Sequence, residues 1–133
     1  MSYRGYNFDA LLEMKDAGAI VADAAAQVAG VDRVLDLGAA RWEGVVVINT
    51  TALDLADTNE TYDVQIQLSN SATFASGNEI FCKVPITALG RVEVPFVNQK
   101  YGTGYRYARL FTDVGGTTPS INYTAYASTL KWA

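Results

Sequence analysis

Residues 62–68 read YDVQIQL, with Tyr62, Val64, Ile66 and Leu68 at one parity and Asp63, Gln65 and Gln67 at the other. Side chains alternate across a strand with period two, so this run predicts a β-strand with one apolar and one polar face. Such a strand needs a second apolar layer and partners for its backbone. From residue 33 onward the chain supplies both as further strands.

"RVLDL" is short and ends at Gly38. "WEGVVVINTTAL" carries a continuous apolar run from Val45 to Ile48, as expected of a central strand covered on both faces. "ETYDVQIQL", "NEIFCKV", "RVEVPFV", "GYRYARLFTDV" and "SINYTAYASTL" follow, separated by turn-forming stretches such as "SGNE", "YGTG" and "GGTTP". Pro95 predicts an edge strand or a bulge, since it has no N–H to give a ladder. No crossover helix is available, so the pattern reads as an all-β antiparallel sandwich. A jelly roll of about eight strands is preferred over an immunoglobulin-like sandwich, whose Cys…Trp…Cys signature is missing.

Helical signal is confined to the first thirty residues. "FDALLEMKDAG" has the composition of a short helix with Asn7 or Asp9 as cap and Gly18 as stop. "AIVADAAAQVAG" is alanine-rich like a helix and alternates like a strand, so pattern alone leaves it open. The domain reading is an N-terminal arm over residues 1–18 and one sandwich over 19–133.

The 133 residues carry a net charge of −4, and only 18% are charged. The ten Lys and Arg are scattered, which argues against nucleic acid as a partner. No apolar run approaches the roughly 20 residues needed to span a bilayer, and the first residues lack the pattern of a signal peptide, so no membrane partner and cytoplasmic synthesis are expected. Histidine is absent, which excludes Ser-His and Cys-His catalysis, and the single cysteine, Cys82, reads as a small buried hydrophobe. Asp54, Asp57, Glu60 and Asp63 form the densest acidic group, but their spacing does not fit a calcium loop and reads as a solvated connection. The sequons at Asn49, Asn59 and Asn122 have meaning only in a secreted chain. Neither catalytic, cofactor nor metal-binding residues are assigned.

The interaction candidates are aromatic. Tyrosine couples a large rigid surface to a polar tip and is favoured in interfaces and sugar platforms. Tyr101 and Tyr105 lie close together beside Arg106, and Tyr107 follows. Along "YRYARLF", Tyr105, Tyr107, Arg109 and Phe111 share one face and Arg106, Ala108 and Leu110 the other, so each face holds an arginine. "MSYRGYNF" places Tyr3, Arg4, Tyr6 and Phe8 near the N-terminus, where they could dock on a neighbour or on their own domain.

"RVLDLGAAR", "YDVQIQLSNSATFASGNEI" and "YRYARLFTDVGGTTPSINYTAYAS", in this order and spacing, resemble the small jelly-roll cement (decoration) proteins of tailed bacteriophages. "LLEMKDAGAIVADAAAQV" resembles that family's N-terminal part, so the resemblance extends from about Leu11 to Ser128 and tips the alanine-rich segment toward extended chain. It implies a virion protein, made in the bacterial cytoplasm, that sits outside a capsid as a homotrimer and clamps major capsid protein subunits. No functional residue is implied by motif. The expected contacts are then Tyr3, Arg4, Tyr6, Phe8, Tyr101, Tyr105 and Arg106. Two other readings stand beside it: a lectin-like carbohydrate-binding module using Tyr101, Tyr105, Tyr107 or Trp132, and, last, a hydrolase using two of the four clustered carboxylates.

Overall fold

The computed structural model describes residues 10–129. After a 3-10 turn at Ala10–Leu12 come six short strands: β1 Glu13–Lys15, β2 Ala19–Ile20, β3 Ala24–Ala25, β4 Gln27–Val28, β5 Val31–Asp32 and β6 Leu35–Asp36. Six long strands follow, β7 Glu43–Leu53, β8 Thr61–Ser69, β9 Glu79–Pro85, β10 Gly90–Val97, β13 Tyr107–Gly115 and β14 Ile121–Thr129, with the small hairpin of β11 Gln99–Lys100 and β12 Thr103–Gly104 between β10 and β13.

All pairings are antiparallel. Sheet A runs β1-β14-β7-β10 with β2 also on β14, and sheet B runs β3-β13-β8-β9 with β6 also on β13. Taking β1 with β2 and β3 with β6 as single positions, the chain visits eight positions, ordered 1-8-3-6 in one sheet and 2-7-4-5 in the other. That order is a jelly roll. The β4–β5 hairpin interrupts position two, and its turn at Ala29 and Gly30 holds both residues at positive φ, 55° and 78°.

The core lies between the sheets. Sheet B contributes Tyr62, Val64, Ile66 and Leu68, the face that alternation predicts, with Ala108 and Leu110. Sheet A contributes Val46, Ile48, Phe96, Ile121, Tyr123, Ala125 and Ala127. The valine run of β7 is buried on both of its faces: outward-facing Val45 and Val47, each 2% exposed, sit among Tyr126, Ser128 and Pro95 of the flanking strands. Gly44 has no room for a side chain, because a Cβ there would meet the Ser128 carbonyl and the Trp42 ring. Trp42 lies across it and, with Phe96 at 5.8 Å and Phe81 beyond, closes one end of the core.

Arg106 does not spoil the inner face of β13 as its parity suggests. It precedes the strand and turns out to Asp36, leaving Ala108, Leu110 and Thr112 wholly buried. Pro95 lies in β10, which is the edge of sheet A.

The described part of stretch 1–18 belongs to the sandwich. β1 pairs with β14, and Met14 is in the core. Residues 13–15 are a strand, not the helix their composition favours. The reason is visible at Lys15, which is 3% exposed. Its ammonium donates to the carbonyls of Tyr123 at 2.7 Å, Asp16 at 2.9 Å and Gly18 at 2.9 Å, and lies 4.7 Å from the centre of the Tyr123 ring. Three donors meet three acceptors, which makes burying the charge tolerable. Burial pushes the Lys15 pKa down, and the Asp16 carboxylate partly offsets this. Tertiary contacts override helix propensity in this segment.

One polar contact crosses the core: the Thr112 and Tyr123 hydroxyls are 2.8 Å apart and buried, joining sheet B to sheet A. Burial pushes the Tyr123 phenol from 10.0 up to about 12, with the Thr112 hydrogen bond acting the other way. Its folded pKa is raised, so its contribution is intact below about pH 10 and is lost as pH rises through about 12. Alkaline titration followed by circular dichroism is expected to show stability falling across that window by roughly 2–3 kcal/mol. Tyr123→Phe should flatten that dependence while lowering stability at neutral pH by about 1–2 kcal/mol, because the Thr112 hydroxyl loses its buried partner.

Candidate functional site

The two ends of the sandwich are built differently. At one end residues 54–60 and 116–120 are stitched to each other. Asp54 N–H donates to the Ser120 carbonyl at 2.9 Å, and the Tyr62 hydroxyl donates to the Asp54 carbonyl at 2.5 Å while accepting from Ser120 N–H. The Thr118 hydroxyl donates to Asp57, and the Asn59 side chain bonds Thr117 twice. The acidic group expected to be a solvated loop is therefore divided among local duties. The Asp54 carboxylate accepts from Ala56 N–H and Glu60 from Asp57 N–H, while Asp63 stands on β8 opposite Asp113. No group of three metal-binding side chains occurs among the described residues.

At the other end, segments 37–42, 70–78 and 98–106 meet. Asn98 organises them from a position only 2% exposed. Its side chain accepts from Trp42 N–H at 2.8 Å and donates to the carbonyls of Ala40 at 3.1 Å and Tyr105 at 2.8 Å. Its backbone bonds the same neighbours, accepting from Tyr105 N–H and donating to the Trp42 carbonyl. Asn70 adds a second tie, donating to the Gly104 carbonyl and accepting from Arg106 N–H. Between these segments lies a cleft of about 240 Å³ lined by Arg41, Asn70, Asn98, Gln99 and Tyr105.

Arg106 stands at its rim and forks onto Asp36, Nε to one oxygen at 2.8 Å and Nη2 to the other at 2.9 Å. That hydrogen bond, with a further one from Gly38 N–H, holds the Asp36 carboxyl below its usual range, and Asp36 in turn raises Arg106. Both side chains are half exposed, so the pair orients the rim and contributes little to stability.

Above the cleft stands the β11–β12 hairpin. Its base is fixed by Lys100, which donates to the Ile80 carbonyl and pairs with Glu79 at 3.3 Å. Its two-residue turn, Tyr101 and Gly102, has φ of 52° and 78°, the left-handed pair of a type I′ hairpin. Glycine fits there without cost; tyrosine does not, since a Cβ in this region crowds the following carbonyl. The strained Tyr101 ring is 89% exposed, with only the Lys100 ammonium 5.2 Å from its centre. This bulky aromatic at a strained position is not packed into the core among the described residues.

The sequence candidates thus separate. Tyr101, Tyr105 and Arg106 come together at this end, where Tyr105 is half-buried against the core while lining the cleft and Tyr101 and Arg106 are exposed. Tyr3, Arg4, Tyr6, Phe8 and Trp132 lie outside the described residues. Tyr107 lies on the outer face of sheet B beneath Arg106, at 5.4 Å. Further along that face, the Arg109 guanidinium lies 4.4 Å from the Phe74 ring centre and 5.7 Å from that of Phe111, while Nε donates to Gln67. Cys82 is half-buried against the core, where burial pushes its thiol pKa up. Asn98 escaped the sequence reading. Its one signal is an amide between the apolar "VPFV" and the turn "YGTG", and amides in such places are common.

No protein-family model matches the chain, and neither a curated protein nor a solved structure does.

Tyr101→Asn places a residue tolerant of left-handed backbone in the turn and is expected to raise stability by about 0.5–1 kcal/mol, read from urea unfolding. Asn98→Ala should do the reverse and lower it by about 2–3 kcal/mol, because three loops lose a buried partner together.

Proposed function

We propose that this chain is a binding protein of the phage capsid-cement kind. It docks on the outside of a capsid through the end of the jelly roll that carries Tyr101 and Arg106, and holds neighbouring major capsid subunits together. Tyr101 is the observation that carries the reading, as an exposed aromatic kept on a fixed hairpin at the expense of backbone strain. Such a ring is pre-organised to enter a partner's pocket with little entropy left to lose. The layout of the sequence supplies the class of partner. Copies placed about threefold positions of a shell add many modest contacts, and their number multiplies the stabilisation.

A second reading, a carbohydrate-binding module, draws on the same end. The amides of Asn70 and Gln99 and the Arg41 side chain line the cleft beside which Tyr101 stands, the mixture of polar groups and stacking ring that a sugar requires. A glycan array read at millimolar ligand separates the two.

The decisive experiment mixes purified protein with tailed-phage capsids that lack a cement protein, and follows co-sedimentation. The wild-type chain should pellet with the shells and raise their melting temperature. Tyr101→Asn should bind at least thirtyfold more weakly, about 2 kcal/mol, despite its more stable fold. Absence of binding by the wild-type chain would remove the cement reading.

A further inference from the structure

The outer face of sheet B carries two unresolved concentrations of charge. The first is Arg109 on β13. Its Nε donates to Gln67 at 2.8 Å, and its guanidinium lies against the Phe74 and Phe111 rings. Its two Nη groups make no hydrogen bond or ion pair among the described residues. Burial pushes its pKa down, and the charge of Asp32 partly offsets this. A half-buried guanidinium with Nε fixed and both amino groups uncommitted is a fork set for a carboxylate.

The second lies further along the same strand. Asp113 stands directly across from Asp63 of β8, and like charges so placed repel. Asp23 crowds them from the side, where its carboxylate accepts from Val114 N–H at 2.8 Å. Burial, then Asp23 and Asp63, push the Asp113 pKa up, while Lys83 of β9 acts the other way. The β13–β8 ladder sets the two features symmetrically about one point. Arg109 pairs with Gln67, Phe111 with Gln65 and Asp113 with Asp63, so Phe111 lies midway between guanidinium and carboxylates. Arg109, Phe111, Asp113 and Asp63 are each partly exposed.

We propose that this face docks a second copy of this chain, packed face to face about a twofold axis through the Phe111–Gln65 position. The axis runs across the strands, so each copy's β13 lies over the other's β13 and β8 over β8, with directions reversed. Phe111 then meets Phe111, and the Arg109–Gln67 position of each copy meets the Asp113–Asp63 position of the other. The guanidinium, drawn toward β8 by Gln67, faces both carboxylates and offsets their repulsion. The same contact occurs twice, as an isologous interface requires. An acidic partner protein would suit Arg109 but aggravate the Asp63–Asp113 pair; a second copy suits both. Neighbouring registers lose the match. Centring on Arg109 sets guanidinium against guanidinium, and centring on Asp113 gathers the carboxylates of both copies. Lys83 shares the level of the axis but stands on outer strand β9, where the roughly 30° between packed sheets swings its two copies apart. The contact does not depend on the capsid reading.

Analytical ultracentrifugation of the full chain tests this. In low salt the wild type should self-associate through a step that doubles the mass, and added sodium chloride should weaken that step. Arg109→Glu and Asp113→Arg should each weaken it about tenfold or more. Mixed in equal amounts, the two variants should recover it as a heterodimer, because each then offers the charges that the other lacks. Circular dichroism melts check each fold. Asp113→Arg relieves the crowding with Asp63 and should fold even where Arg109→Glu disturbs the Phe74 stack; Arg109→Gln then replaces the latter. A wild type with no doubling step, or folded variants that associate as strongly as it does, overturns the proposal. So does a mixture of folded charge-reversed variants that fails to recover.

Discussion

Backbone hydrogen bonding at the edges of two sheets is the constraint on which the remainder of this molecule depends. A sandwich of this size buries its inner faces readily, but every lateral edge leaves a row of unpaired donors and acceptors. The chain spends residues 13–36 on this problem. It crosses between the sheets, laying β1 and β2 along β14 and β3 and β6 along β13, so neither long strand is left bare. The pieces are only two or three residues long, and side chains secure them. Lys15 caps carbonyls on both sides of the β1 joint, and Arg33 donates to the carbonyls of Glu13 and Leu11. On the opposite flank Lys100 ties the β11–β12 hairpin to the start of β9.

The ends divide the remaining work. One is closed by side chain-to-backbone bonds among residues 54–60 and 116–120, and its carboxylates are consumed in holding turns. The other is held from within by Asn98, which frees the outer loop residues from structural duty. That division is why a strained and exposed aromatic is tolerable at Tyr101. The hairpin beneath it is anchored at its base, and a modest strain at the tip does not spread into the sheets.

Strand identity was legible from period-two alternation, and the jelly-roll class from the number and spacing of strands. Pro95 marked an edge because the chemistry of proline is local. What stayed hidden was anything decided by contacts distant in sequence. Lys15 looks like a solvated helix residue until β14 arrives beside it. Arg106 looks like a charge on the core face of β13, because parity counting cannot tell that the strand begins one residue later. Asn98 and the Thr112–Tyr123 pair are buried polar groups, and periodicity marks buried positions without distinguishing a paired polar side chain from a mistake. At the candidate site, clustering of Tyr101, Tyr105 and Arg106 could be read, whereas the packing of Tyr105 against the core could not.

The pairing of β1 with β14 has a consequence for how the molecule is made. Lys15 and its carbonyl partner on Tyr123 stand 108 residues apart, so the first position of sheet A waits for a strand synthesised long after it. A ribosome releasing this chain from its N-terminus delivers the edge pieces long before the strands they cover, and β7 emerges without either neighbour. Folding therefore carries a high loop-closure cost and is slower than for a protein of local contacts. Until it finishes, the valine run of β7 stands uncovered in the nascent chain. A cell that makes many copies at once would meet that exposed strand as its main hazard, and the rate of closure, more than the final stability, sets the yield of usable protein.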